Sequence, residues 1–104
     1  MRATTDAGFA TEVLAGGTVL VDFRADWCGP CRQLAPVLEA LEAELASRLT
    51  VLAVDVDDNP ATARRYEVSG LPALILFVDG EPVHRMLGVR PKSVLRAELE
   101  PWIP

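Results

Sequence analysis

Cys28 and Cys31 are the only cysteines in 104 residues, and they stand three apart in the run Trp27-Cys28-Gly29-Pro30-Cys31. A pair at this spacing has three chemical uses: a redox-active dithiol, half of a tetrahedral thiolate metal shell, or a short structural staple. The staple gains little, because closing a four-residue loop is worth only about 1.9 kcal/mol in the chain-entropy estimate, against roughly 4.7 kcal/mol for a long loop. A metal shell needs two more ligands, and the single histidine, His84, lies far along the chain on an expected strand. Two inert thiols, or a metal shared between two copies, stay open on composition alone.

The redox use gains from position. The pair falls between the end of an expected strand and the start of the longest expected helix. The first turn of a helix carries unpaired N–H groups and the positive end of the macrodipole. A thiolate at Cys28 is stabilised there, and its pKa falls below that of a free thiol. The thiolate is the attacking species in thiol–disulfide exchange, so Cys28 is the expected nucleophile. Cys31, one turn further in, is expected to be less exposed and to resolve the mixed disulfide.

Composition narrows the setting. Half the residues are apolar, 24% are charged, the net charge is −5 and the pI is about 4.7. That composition suits one globular domain spanning residues 1–104. An acidic chain with no Lys/Arg cluster is a poor nucleic-acid binder. Met1 to Leu14 holds no secretion-type apolar stretch. The apolar runs, such as Ala73 to Val78, are strand-length and too short to cross a bilayer. A cytoplasmic location is therefore expected, a compartment in which structural disulfides are rare.

The elements that must position the sulfurs alternate in type. Met1 to Thr4 is a weak edge-strand signal. Asp6 is placed to cap a short helix to about Leu14, ended by Gly16-Gly17. Thr18 to Phe23 is a β-branched, apolar strand. Pro30 to Arg48 is the long helix, with Leu34, Leu38, Leu41, Leu45 and Leu49 on its buried face and Pro36 kinking it. Leu49 to Val56 is a second apolar strand. Asp58-Asn59-Pro60 starts a short helix to about Tyr66. Ala73 to Val78 is a third strand, and Asp79-Gly80 turns it back into Pro82 to Leu87. Pro91 opens a last helix whose apolar side is Val94, Leu95, Leu99 and Trp102. Apolar strands joined through helices, plus a hairpin, predict an α/β fold: a central mixed sheet with helices on both faces.

These residues resemble the thioredoxin family. The likeness runs from Phe9 to the last helix. It is most specific in Val21-Asp22-Phe23-Arg24-Ala25-Asp26-Trp27-Cys28-Gly29-Pro30-Cys31 joined to the later Gly70-Leu71-Pro72. The resemblance implies the thioredoxin fold and a protein-disulfide reductase that carries electrons as a dithiol. It implies disulfide-containing protein substrates, thioredoxin reductase as the electron donor, and no bound cofactor. It makes Asp22 the buried proton acceptor and donor for Cys31, a role that burial of a carboxylate would suit by raising its pKa. It makes Pro72 a cis-proline beside the disulfide. Leu71 offers its backbone to an extended substrate segment, a strand-addition mode. Trp27, Gly70 and Gly88 are implied as the low-relief surface around the reactive sulfur. Gly29 and Pro30 between the cysteines go with reducing members. Pro36 and Tyr66 match structural positions, and His84 is a surface strand residue. A monomer is expected.

Three positions depart from the family pattern. Arg24 stands where an aromatic residue is common, Ala53 where a lysine often lies near the buried aspartate, and Ala73 where threonine is common. Loss of the lysine should raise the Asp22 pKa further. Arg24 lies two residues from Asp22 on a strand, so the side chains start on one face. Arg24 is thus a candidate replacement for the missing charge, or it extends to water at the rim. The other functions in view are a redox-gated binding module and a partner dedicated to one substrate.

Overall fold

A computed structural model describes all 104 residues, Met1–Pro104. Five strands form one sheet: β1 (Arg2–Ala3), β2 (Thr18–Arg24), β3 (Thr50–Asp55), β4 (Ala73–Val78) and β5 (Glu81–Leu87). Three α-helices accompany them: α1 (Gly29–Glu44), α2 (Pro60–Arg65) and α3 (Lys92–Leu99). A π-helical turn covers Ala10–Leu14, and a 3-10 turn covers Glu100–Trp102. The strand order is β1-β3-β2-β4-β5. β3 runs parallel to β1 and β2, and α1 carries the chain back to the end of the sheet where β2 began. β4 runs antiparallel to β2 and β5. The expected mixed sheet covered on both faces is therefore present.

Alternation along the strands sorts the core into two layers. Leu20, Val51, Leu74, Leu76 and Met86 face the leucines of α1 and α3, among them Leu34, Leu38, Leu41, Leu95 and Leu99. Val19, Val21, Phe23, Val54, Ile75 and Phe77 face the other way, against Phe9 and Val13 and the side chains around α2. Phe9, Tyr66 and Phe77 form an aromatic cluster there with centroids 5.2–5.6 Å apart. Tyr66 is thus a packing residue.

Several boundaries differ from expectation. α1 ends at Glu44, not Arg48: Ser47 adopts a left-handed φ of 73° in the turn that leads the chain into β3. Leu45 and Leu49 stay buried beyond the helix end. Asp6 caps no helix of its own. Its carboxylate accepts from the Ala61 and Thr62 N–H groups at 3.2 and 2.8 Å and from the Thr62 hydroxyl at 2.6 Å. It therefore caps α2 from a distant part of the chain, and Asn59, at the helix's own N-cap, makes no capping bond there. Pro91 sits at the N-cap of α3 rather than inside it. Val94 is exposed, because Leu95 and Leu99 set the buried stripe and Val94 lies about 100° around the helix from Leu95. The hairpin turn is as expected: Asp79 and Gly80 have φ of 49° and 85°, matching the primed turn that two-residue hairpins need.

Candidate active site

The sulfurs sit where β2 hands over to α1. Cys28 has extended backbone and is the N-cap of α1, and Pro30 falls within the first turn, where its missing N–H costs no helical bond. The Cys28 Sγ accepts the Cys31 backbone N–H at 3.2 Å, so the sulfur occupies the acceptor position of a helix N-cap. Cys28 and Cys31 are joined as a disulfide with Cα atoms 5.3 Å apart. Cys28 is 5% exposed and Cys31 is 0% exposed, so what exposure the pair has belongs to Cys28. Ala25, Val56 and Leu71 pack around the pair.

Asp22 lies in the middle of the sheet, fully buried. It alternates with Leu20 and so points to the α1 side, with Ala53 and Leu74 as its cross-strand neighbours. Neither carboxyl oxygen has a hydrogen-bond partner. Desolvation pushes its pKa up to about 7, and the charge of Arg24 pulls weakly the other way. The Arg24 guanidinium does not bond Asp22. It pairs with Asp26 at 3.1 Å and faces Asp55 at 3.8 Å. Arg24 therefore lies among the acidic side chains Asp26 and Asp55, without a direct bond to the buried carboxyl.

A second segment closes the site from the β4 side. The Leu71–Pro72 bond is cis. The Gly88 N–H donates to the Pro72 carbonyl at 2.9 Å, and Gly88 has a left-handed φ of 89°, a conformation that favours glycine. The Leu71 N–H and C=O make no hydrogen bond within the chain. Gly70 lies against the Leu87 side chain, where a Cβ would approach Cδ1 to 3.2 Å. Ala73 pairs with Phe23 and Leu87 in the sheet. The Trp27 ring is 69% exposed, and its Nε1–H donates to Asp57 Oδ2 at 2.8 Å. His84 is elsewhere, stacked on Trp102 and 3.0 Å from Glu98.

Sequence reasoning passed over Asp57 and Leu87. Asp57 had a usable signal: β2 and β3 are parallel, so the residues that follow each strand converge at one edge. Leu87 had none, since an exposed leucine at a strand end looks like any other strand residue. Leu87 is 64% exposed beside Gly70, adding apolar area to this face.

Residues 1–101 match the family model described as thioredoxin. The chain is 54% identical over 101 residues to a thioredoxin of Mycobacterium tuberculosis, covering 96% of this chain and 87% of that protein. It is 49% identical over 96 residues to a thioredoxin of Staphylococcus aureus, covering 92% and 91%. These identities extend over the strands and helices that place Cys28 and Cys31, and the chain belongs to the thioredoxin family.

Proposed function

We propose that Cys28 is the attacking thiol, that Cys31 resolves the mixed disulfide, and that Asp22 accepts and returns the Cys31 proton. Protein-disulfide oxidoreduction by dithiol exchange is the activity of the family and of this chain. The observation that carries the division of labour is that Cys28 Sγ is the N-cap acceptor of α1 while Cys31 lies inside the helix with no exposure. Once the disulfide is reduced, a thiolate at Cys28 gains from the Cys31 N–H and the helix dipole. It attacks a substrate sulfur and displaces the partner thiolate. Cys31 then loses its proton and attacks Cys28 Sγ, which re-forms the Cys28–Cys31 bond and releases the substrate as a dithiol. A buried carboxyl with a pKa near neutrality is suited to hold that proton.

Substrate contact is assigned to the unpaired Leu71 backbone, with Trp27, Gly70 and Gly88 forming the surrounding surface. Pro72 stands beside the disulfide, and Gly29 and Pro30 hold the turn between the sulfurs. Thioredoxin reductase and disulfide-bearing proteins are the partners that go with the family. In this reading the chain acts as one domain, as a cytoplasmic monomer, without binding nucleic acid or membrane. No helix is long and apolar enough to cross a membrane, and a net charge of −5 opposes binding to phosphate backbones.

Reduction of insulin disulfides with NADPH and a thioredoxin reductase tests the assignment. Cys28→Ser should abolish turnover. Cys31→Ser should stop after one attack and accumulate a mixed disulfide through Cys28, visible by mass spectrometry. A mixed disulfide that forms instead on Cys31 in Cys28→Ser, with none on Cys28 in Cys31→Ser, would reverse the two roles.

A further inference from the structure

Trp27 is the most exposed large apolar side chain of the protein, and it adjoins the attacking sulfur in sequence. An exposed indole has two free torsions, so a fixed ring needs an anchor. The anchor is Asp57, through the 2.8 Å bond from Nε1–H. Asp57 is itself exposed and lies in the loop after β3, so something must hold that loop.

Asp55, the last residue of β3, does so from three sides. Its Oδ1 accepts the backbone N–H groups of Asp57 and Asp58 at 2.9 and 3.3 Å. Its carbonyl accepts the Asn59 N–H at 2.9 Å and the Asn59 side-chain amide at 3.0 Å. Its Oδ2 faces the Arg24 guanidinium at 3.8 Å across the β2–β3 register, where Arg24 and Asp55 are direct partners. The Val56 N–H donates to the Arg24 carbonyl at 2.9 Å, which extends the strand pairing one residue into the loop.

We propose that Asp55 is a positioning residue: by ordering the 55–59 loop through its Oδ1 it holds Asp57 in place, and Asp57 holds the Trp27 indole beside Cys28 for partner recognition. The recognition half rests on the assignment of Trp27 to the substrate surface, whereas the positioning half does not. The Oδ1 bonds need an acceptor and no charge, so Asp55→Asn keeps them while losing the attraction to Arg24. Asp55→Ala loses both.

The indole N–H resonances in a 15N–1H NMR spectrum provide the test, with Trp102 as the internal control. Asp55→Ala should shift and broaden the Trp27 indole signal and leave that of Trp102 in place. It should raise the KM for insulin about threefold to tenfold, the net size of one ordinary hydrogen bond at a solvent-exposed site, with kcat little changed. Asp55→Asn should restore both readouts. Should Asp55→Ala disturb the Trp102 signal as well, Asp57→Ala, a change at an exposed loop position, must give the same Trp27 shift. A Trp27 resonance that stays put in Asp55→Ala or in Asp57→Ala overturns the proposal. So does an Asp55→Asn variant as impaired as Asp55→Ala. Trp27→Ala separates the two assignments: an unchanged KM there removes the recognition role of Trp27, while the indole shift in Asp55→Ala still reports positioning.

Discussion

Asp22 is a carboxyl with no hydrogen-bond partner inside an apolar sheet, and its energetics can be followed with pH. Its pKa stands near 7 in the fold against an ordinary 3.8, so the folded state holds the proton over a range where the unfolded chain has released it. Stability is then full below about pH 4, falls as pH rises from there, and levels off once pH passes about 7. The total loss is about 4 kcal/mol at 1.36 kcal/mol per unit. Asp22→Asn should therefore stabilise the protein by up to that amount at about pH 8 and by little at about pH 4, as measured by urea unfolding at both. An equal gain at the two pH values would show that ionisation of Asp22 is not the cause. Arg24→Ala should raise the Asp22 pKa above that of the parent, read by NMR titration of the carboxyl carbon. An unchanged value would mean that Asp26 and Asp55 screen the guanidinium completely. The buried aspartate was legible as an acid inside an apolar strand. The charges that tune it were only half legible, because Asp55 reaches Arg24 through strand register.

At the scale of elements, the strands and the cysteine-bearing helix were easy to read, and the short helices were not. β4 ends where its apolar run ends, and the Asp79-Gly80 turn returns it as β5. α1 begins as its Pro30 suggests, but its last turn is lost, because the chain must reverse into β3 through Ser47. Asp6 shows the limit of local sequence. Asp6 has the chemistry of a helix cap and does cap a helix, but that helix begins at Pro60. Local sequence shows that a residue can cap, and only tertiary contact shows which N–H groups it meets. Asp6→Ala should lower the urea midpoint, in keeping with loss of a helix cap. Amide exchange should quicken at Ala61 and Thr62 and stay unchanged in α3. Equal protection at Ala61 and Thr62 in the variant would mean that α2 does not depend on this cap.

For the whole molecule, the sheet separates two apolar layers that share no side chain, one under α1 and α3 and one under α2 and the N-terminal turn. Leu38→Ala and Phe77→Ala, one in each layer, should cost about 2–5 and 3–5 kcal/mol. Because the layers are independent, the double variant should equal the sum within about 0.5 kcal/mol by denaturant unfolding. A larger discrepancy would show strain passing through the sheet. The sequence by itself determined the reactive pair, the order of strands and helices, the hairpin and the acidic charge, since these depend on residue type, spacing and turn chemistry along the chain. The tertiary structure alone decided that Asp22 has no partner, that Arg24 meets Asp55 rather than Asp22, and that Asp57 anchors Trp27. Each of these depends on which groups the parallel pairing of β2 and β3 and the cover of α1 bring together: the pairing predicts that residues thirty apart converge at one edge, and only the folded chain settles which of them bond.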